Sequence, residues 1–262
     1  EIPCFALTEP GAGSDAAGSM TSHGVVVREQ IDGKQVLGMR LNWEKRYITL
    51  APRATLIGVA FRLYDPDHLL GEEKEIGITC ALIPADTPGV EAGERHDPLG
   101  VPFLNGPTRG RDVFVPIDAV IGGENGCGKG WRMLMQCLSA GRGISLPSSS
   151  VGGSQACLRV AAAHASVREQ FGLPVGRFEG VQEPLVRSAS TAYALDALRA
   201  TSTLAVDSGE KPAVASAVAK AFSTERLREV VNDCMDVVAG NAICRGPRNE
   251  LANAYAAVPV GI

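Results

Sequence analysis

The sequence predicts an α+β protein of two domains: a β-barrel or sandwich over residues 1–123, followed by an antiparallel helical bundle over residues 124–262. Two observations support this division. In the first part, short β-branched runs alternate with Gly, Pro and Asp, as they do in barrels and sandwiches. After Gly122 and Gly123 the apolar residues change to a helical period, and alanine, which favours helix, becomes abundant.

The first hairpin is the most specific element of the predicted β domain. Residues 25–31 and 34–40 flank Asp32 and Gly33, which tolerate the positive φ angles of a two-residue hairpin turn. Further strands are predicted at residues 47–51, 54–63, 76–83 and 112–115.

Two apolar stripes predict long helices in the second part, and we expect about four or five helices in all. One stripe has the spacing i, i+3, i+4, i+7 and i+8, and residues 230–238 continue it; it comprises Val214, Ala217, Val218, Ala221 and Phe222. The other has Pro184 at its first turn and comprises Leu185, Ala189, Ala192, Leu195 and Leu198.

The composition argues against several classes of protein. With 45% hydrophobic and 21% charged residues the chain is an ordinary globular protein, and its net charge of −4 argues against nucleic-acid binding. No apolar run approaches the roughly 20 residues needed to span a bilayer, and the first residues do not form a signal peptide.

The cysteines and histidines favour neither disulfides nor a metal site. The seven cysteines are scattered, odd in number and never spaced as CxxC, which suits free thiols in a reducing compartment. The four histidines form no ligand-like pair. We therefore expect a cytoplasmic protein, with peripheral association at the inner membrane as an alternative.

The loop at residues 8–15, Thr-Glu-Pro-Gly-Ala-Gly-Ser-Asp, is the first candidate site. Pro10 fixes one φ angle, and Gly11 and Gly13 let backbone amides approach a ligand without a Cβ in the way. Such amides form a concavity suited to a diphosphate. A tight surface turn is the alternative. The loop is not GxGxxG and no helix is expected after it, so a Rossmann site is not supported.

Four segments in order then resemble the acyl-CoA dehydrogenase family. Residues 5–15 resemble the family signature, and residues 44–49, Glu-Lys-Arg-Tyr-Ile-Thr, resemble its second flavin segment. Residues 110–116 are similar to the strand that closes the family's β domain, and Arg-Glu-Gln-Phe-Gly at 168–172, followed by Gln182, to its helical pattern. Within the family, residues 128–134, 138–148 and 209–213 are most similar to the long bacterial enzymes of fatty-acid β-oxidation.

The resemblance implies FAD as the cofactor and an acyl-CoA thioester as the substrate. In the family a hydride passes from the β-carbon to flavin N5 while a glutamate removes the α-proton. By position, Phe5, Leu7 and Thr8 would line the isoalloxazine ring, Thr49 would bond near N5, and Tyr47 would shield the ring where Trp is more usual. Tyr47 could instead be a half-buried strand aromatic.

The remaining site residues are implied in the same way. Gly13 and Ser14 would lie near the pyrophosphate and the acyl-CoA, which makes Ser14 a substrate contact as well. Arg142 aligns with an arginine of the acyl-CoA site, for which a helix salt bridge is the alternative. The residues implied at the adenosine half of a FAD bound mainly by a neighbouring subunit are Arg168, Phe171, Gln182 and Gly240.

Two departures from the family pattern concern this site. Residues 236–241 read Asp-Val-Val-Ala-Gly-Asn where the family has Gln-x-x-Gly-Gly-Asn, so a glutamine and one glycine are lost. Ser139 stands where an acid often precedes the arginine corresponding to Arg142, which puts the usual adenine contact in doubt.

The resemblance implies no catalytic base within residues 1–262. The usual Glu-Gly-(Thr or Ala) motif is expected a few residues past Ile262, and Gly141 occupies the position of the base in a minority of members. Glu250 is the nearest acid, but its predicted helical position gives no reason to prefer it. The family's N-terminal helical domain would precede Glu1, so we expect a fragment.

The expected activity is dehydrogenation of an acyl-CoA to trans-2-enoyl-CoA in fatty-acid β-oxidation. The expected partners are an electron-transfer flavoprotein and further copies of the chain, as a homodimer or homotetramer. An acyl-CoA oxidase or flavin monooxygenase of the same fold, and a catalytically silent binding or assembly module, are the alternatives.

Overall fold

The computed structural model describes residues 1–210, 212–247 and 249–262, apart from the side chains of Ala140 and Glu250. Lys211, in the segment that resembles the β-oxidation branch, therefore lies outside the described residues, as does the side chain of the candidate acid Glu250. The chain forms two compact units, residues 1–98 with 102–135, and residues 99–101 with 136–262. The α+β fold class is confirmed, while the boundary at residue 123 stays a prediction.

The first unit is built on one seven-stranded sheet. Its strands are β1 (Pro3–Ala6), β2 (His23–Ile31), β3 (Lys34–Thr49), β4 (Leu56–Tyr64), β5 (Glu75–Pro84), β6 (Val90–Ala92) and β7 (Asn105–Pro116), with the short helix α1 (Ala16–Ser19) between β1 and β2. One edge of β4 pairs with β5, and the other pairs in parallel with β1 along its first half and with β2 along its second. Antiparallel pairing then continues through β3 and β7 to β6.

The β2–β3 hairpin confirms its predicted turn. Ile31 pairs with Lys34, and Asp32 and Gly33 have φ angles of 49° and 78°. The prediction of a separate strand at residues 47–51 is wrong, because β3 runs on to Thr49 and ends where Leu50 takes a φ of 66°. Residues 51–53 form a 3₁₀ turn instead.

Besides a smaller buried cluster of Met20, Ala60, Ile78, Cys80 and Leu134, the first unit has its main core on one face of this sheet. Alternate residues point inward, so strands with period-two burial supply most of it. Its largest fully buried apolar side chains are Met39, Leu41, Ile57, Phe61, Leu63 and Ile83.

The second unit consists of helices and one small hairpin. Its elements are most of α2 (Gly130–Val167), β8 (Glu169–Gln170), β9 (Leu173–Pro174), α3 (Glu179–Asp207), α4 (Ala213–Val238), α5 (Gly240–Ile243) and α6 (Glu250–Gly261). The core gathers residues of α2, α4, α5 and α6, among them Cys157, Ala161, Val230, Val231 and Leu251. Within the described residues, no helix is both long and apolar enough to cross a membrane.

Two details of the helices differ from the prediction. Pro184 is the sixth residue of α3 and not in its first turn, because the hydrogen bonds from Val181 and Gln182 to the carbonyl of Phe178 start the helix earlier. The first half of the α4 stripe is exposed at Val214, Val218 and Phe222. The buried face there carries small residues instead, namely Ser216, Ala219 and Ser223.

A close approach of α2 and α4 explains why small residues are buried. A Cβ added at Gly143 of α2 would lie 2.6 Å from Oγ of Ser216. Backbones this close leave no room for Val or Phe side chains between them. The first half of the apolar stripe therefore points away from the core of its own unit, while Val230 and Val231 farther along α4 lie in it.

Candidate functional site

The loop at residues 8–15 is attached to β3 by a buried ion pair. Nζ of Lys45 donates to a carboxylate oxygen of Glu9 at 2.8 Å and to the carbonyl of Leu7 at 3.0 Å. The Lys45 side chain is 0% exposed. The backbone and hydroxyl of Thr21, both at 2.7 Å, and the N–H of Ser22 at 3.1 Å also donate to the Glu9 carboxylate. Every charge of this pair is therefore matched by a partner of opposite polarity.

The ionisation of the pair follows from these contacts. Burial alone would raise the pKa of Glu9, but the hydrogen bonds from Lys45, Ser22 and Thr21 outweigh it and lower the pKa from 4.5 to about 2. Burial lowers the pKa of Lys45, and the bond to Glu9 opposes this shift. The carboxylate therefore stays ionised throughout the physiological range.

Further backbone contacts hold the loop on both sides of Glu9. The N–H of Arg46 donates to the carbonyl of Thr8 at 2.9 Å, and Glu9 and Ala12 exchange backbone bonds of 2.9 and 3.3 Å. Beyond the loop, Arg62 of β4 donates to the carbonyl of Ala17 at 2.7 Å. The expectation that no helix follows the loop is wrong, since α1 begins at Ala16, although a single turn adds little dipole.

The predicted flavin residues of the first unit lie on these joined segments. Phe5 and Tyr47 are aromatic side chains with 39% and 55% of their surface exposed, and Thr49 is exposed beside Tyr47. The Phe5 ring rests on Gly58, where an added Cβ would come within 2.6 Å of it. Leu7 and Thr8 are half-buried next to the Lys45 and Arg46 contacts. These segments thus carry two exposed aromatic rings and, at Thr8 and Thr49, two hydroxyl groups.

Gly13 and Ser14 lie at the outer end of the loop. A Cβ added at Gly11 or at Gly13 would meet nothing within 4 Å, so the space in front of the loop is open. Asp15 turns back to accept hydrogen bonds from the hydroxyl of Ser19 and the N–H of Gly13. The pKa of Asp15 is lowered, mainly by the bond from Ser19.

In the second unit, Arg168 and Phe171 belong to the connection between α2 and α3, and Gln182 lies in the first turn of α3. Phe171 and Gly172 form the tip of the β8–β9 hairpin with φ angles of 54° and 76°. The Phe171 side chain is 94% exposed, and its ring meets the Phe178 ring edge-on at 6.1 Å. Gln182 donates to the carbonyl of Gly176 at 3.0 Å. The hairpin thus presents an aromatic ring and a cation to solvent.

Arg142 and Gly240 lie in other elements of the second unit. Arg142 is exposed on α2, and Gly240 is the exposed first residue of α5. Gly141, beside Arg142, has open space at its Cβ position.

Two family descriptions match nearly the whole chain. The acyl-CoA dehydrogenase middle domain matches residues 4–113, and the acyl-CoA dehydrogenase C-terminal domain matches residues 128–261. The chain belongs to the acyl-CoA dehydrogenase family. Members of this family are flavoprotein oxidoreductases that bind FAD.

Two relatives illustrate the similarity to individual proteins. The mitochondrial isobutyryl-CoA dehydrogenase of Dictyostelium discoideum is 32% identical over 245 residues, which are 92% of this chain and 54% of that protein. A protein named HemX from Proteus mirabilis is 67% identical over 94 residues, 36% of this chain and 55% of its own. The chain therefore spans about half the length of these relatives.

The fold also matches a solved structure of the family. Butyryl-CoA dehydrogenase from Megasphaera elsdenii superimposes with a TM-score of 0.83 at 24% identity, over 100% of this chain and 63% of that one. This similarity supports the fold.

Glu9 and Lys45 were not identified from the sequence as residues of the candidate site. Both belong to the two segments that resemble the family's flavin motifs, but neither motif indicates that the two side chains form an ion pair. The feature that could have revealed the pair is the position of Lys45 in its strand. It lies between Trp43 and Ile48, and all three residues are buried. A lysine at such a position needs a buried acid.

In the segment at residues 236–241, Ala239 stands where the family pattern has a glycine, and it keeps a backbone conformation typical of glycine. Ala239 has φ 55° and ψ −132°, a conformation that glycine dominates. Its N–H still donates to the carbonyl of Met235, and its carbonyl accepts from Ala242, both at 2.8 Å. Gly240 is therefore presented at the start of α5 by a strained alanine.

Replacing Ala239 with glycine should relieve this strain. We expect Ala239→Gly to raise the free energy of unfolding by about 1 kcal/mol or more, because a non-glycine residue in such a region costs about 1–3 kcal/mol. Ala217→Gly, at an exposed position inside α4, should lower it by about 0.5–1 kcal/mol. Urea unfolding of both variants is the measurement, and a loss of stability in both would contradict the assigned strain.

Breaking the buried pair should cost far more than breaking a surface pair. We expect Glu9→Gln to lower the free energy of unfolding by about 3–5 kcal/mol, since it leaves the Lys45 ammonium buried and uncompensated. The double variant Glu9→Gln/Lys45→Met should recover much of this loss. Glu44→Gln is the matched control: it breaks the exposed Arg109–Glu44 pair, whose atoms lie 3.1 Å apart, and should cost at most about 1 kcal/mol.

The pH dependence supplies a second check on the same variants. Because the pKa of Glu9 is lowered from 4.5 to about 2, its contribution is complete above pH 4.5 and is lost as the pH falls through 2. The stability gap between the wild type and the double variant should therefore narrow below pH 4.5. Equal losses in Glu9→Gln and Glu44→Gln, with a pH-independent gap, would show that the pair does not anchor the loop.

Proposed function

We propose that this chain forms the FAD- and acyl-CoA-binding part of an enzyme that dehydrogenates an acyl-CoA thioester to the trans-2-enoyl-CoA. The observation that carries the proposal is the joining of the two flavin segments by the Glu9–Lys45 pair, with Phe5, Tyr47 and Thr49 left exposed beside it. Exposed aromatic rings next to a rigidly held polar loop suit a planar cofactor with polar edges.

The residues present fit the isoalloxazine end of FAD. Asn105 pairs with Thr49 across β3 and β7, and its side-chain oxygen is buried without a hydrogen-bond partner among the described residues. Bound FAD supplies the hydride acceptor for the β-carbon. The Thr8 and Thr49 hydroxyls would fix the ring's polar edge, and Phe5, Leu7 and Tyr47 would contact its faces.

The outer loop and the second unit would hold the phosphates and the nucleotides. Open space before Gly13 and Ser14 leaves room for a pyrophosphate and for the thioester's CoA portion. Arg142 would bind acyl-CoA. The exposed hairpin carrying Arg168 and Phe171, with Gln182 and Gly240, would reach the adenosine half of a FAD in another subunit, which requires a homodimer or homotetramer.

The reaction needs a carboxylate at the α-carbon, and we assign that role to no residue of this chain. We propose fatty-acid β-oxidation as the process and an electron-transfer flavoprotein as the electron acceptor. The similarity to the β-oxidation branch at residues 128–134 and 138–148 supports the first of these proposals.

The full-length gene product tests this function directly. We expect a yellow protein that releases FAD on denaturation, and anaerobic addition of an acyl-CoA should bleach the flavin and yield a product lacking two hydrogens. Acyl-CoAs of increasing chain length would define the substrate, and reoxidation by an electron-transfer flavoprotein would define the acceptor. A colourless protein, or a flavin that no acyl-CoA bleaches, would refute the proposal.

Removing the hairpin arginine should weaken cofactor binding. We expect Arg168→Ala to raise the dissociation constant of FAD by about 10- to 100-fold, the value of one hydrogen bond to a charged group. Arg159→Ala, at an exposed arginine of α2, is the control and should leave the dissociation constant unchanged. Titration of the apoprotein with FAD measures both, and equal affinities in the two variants would remove Arg168 from the site.

A further inference from the structure

The Tyr47 ring is held in an unusual position at the edge of the proposed flavin site. Tyr47 lies in a bulge of β3, where the pairing with β7 shifts between Lys45 and Ile48, and its φ of 61° is rare for an aromatic residue. Bulges re-aim side chains, and this one turns a bulky ring outward. Neighbouring groups must keep the ring in one orientation if it is to cover a cofactor.

Two side chains contact the Tyr47 ring. The guanidinium carbon of Arg46 lies 4.8 Å from the ring centroid. The centroid of the His96 ring lies 5.2 Å from it, with the two ring planes inclined at 51°. Arg46 is the adjacent residue in the chain, whereas His96 ties the ring to another segment of the unit.

His96 is fixed at this place by the sheet. Its N–H donates to the carbonyl of Asn105 at 2.9 Å, and Asn105 pairs with Thr49. Two side-chain atoms here are buried and have no hydrogen-bond partner among the described residues: Nε2 of His96 and the amide oxygen of Asn105. Asn105 as a whole is 7% exposed. The Asn105 oxygen, beside Thr49, marks a place where a bound molecule completes the hydrogen bonding.

We propose that His96 is a positioning residue of the flavin site, which holds the Tyr47 ring against the bound isoalloxazine and so limits access of oxygen to it. The proposal rests on the proposed function, because it takes Tyr47 to be the shield of the ring. Aromatic pairs gain from ring contact beyond simple burial, so the contribution of His96 lies in its ring rather than in its charge.

Two substitutions separate the ring of His96 from its polarity, and a third is a control. His96→Gln keeps a polar side chain but removes the ring, and His96→Phe keeps a ring but removes the nitrogens. The control, His68→Ala, removes an exposed histidine whose ring contacts the Gly71 carbonyl. Each is made in the full-length protein and compared for its visible flavin spectrum and its affinity for FAD. The third measurement is the rate at which oxygen reoxidises dithionite-reduced flavin, with oxygen reduced to hydrogen peroxide.

We expect His96→Gln to shift the flavin spectrum and to change FAD affinity and oxygen reoxidation by roughly 2- to 10-fold, the scale of one aromatic contact. His96→Phe should restore wild-type behaviour, and His68→Ala should never depart from it. In a Tyr47→Ala background, His96→Gln should add nothing, because its effect passes through the Tyr47 ring.

Two results would overturn this proposal and leave the proposed function standing. One is a yellow wild type whose properties His96→Gln does not change. The other is a His96→Gln effect that is just as large in the Tyr47→Ala background. A colourless wild type would overturn both proposals. If His96→Gln failed to fold, His96→Asn alone and in the Tyr47→Ala background would decide, since it also removes the ring and its effect on the oxygen rate must disappear in that background.

Discussion

The buried ion pair between Glu9 and Lys45 is the interaction on which the candidate site depends. A lysine with no exposed surface is costly unless its charge is matched, and here Glu9 is 2.8 Å away while the carbonyl of Leu7 accepts a second bond. The loop after β1 and the last residues of β3 are consequently held together. Parallel pairing of β1 with β4 brings the loop to this edge of the sheet, and the ion pair then fixes its distance from Tyr47 and Thr49.

Rigidity of this kind is what a flavin enzyme of this family requires from its protein. The cofactor carries the hydride chemistry, so the protein contributes chiefly by holding ring and thioester in register. Contacts made by Glu9 and Lys45 join the two segments that we propose hold the flavin. The backbone is also strained at Tyr47 and at Ala239. Conformations that cost free energy persist only where the surrounding structure imposes them, so both positions are held firmly by their neighbours.

Much of the fold could be predicted from sequence because its signals are local. The Asp32–Gly33 turn and the alternating strands specify the hairpin and its neighbours without reference to distant residues. Burial of the α4 stripe could not be predicted in the same way. Periodicity identifies an apolar face, yet Val214, Val218 and Phe222 are exposed because Gly143 and Ser216 bring the helix backbones together on the other face.

The candidate site shows the same division between local and non-local information. Motifs indicated Thr8, Tyr47 and Thr49, whereas the pairing of Glu9 with Lys45 depends on which strands are neighbours, and the contact of Tyr47 with His96 depends on a bulge. No spacing rule encodes a bulge, since it displaces the register by a residue.

Amide hydrogen exchange of the full-length protein, with and without FAD, tests the central claim most directly. If the loop and the end of β3 form the flavin site, FAD should slow exchange at residues 8–15 and 46–49 together, while the hairpin turn at residues 32–33 should be unaffected. Protection elsewhere, with unchanged exchange in both segments of a FAD-bound protein, would contradict the account.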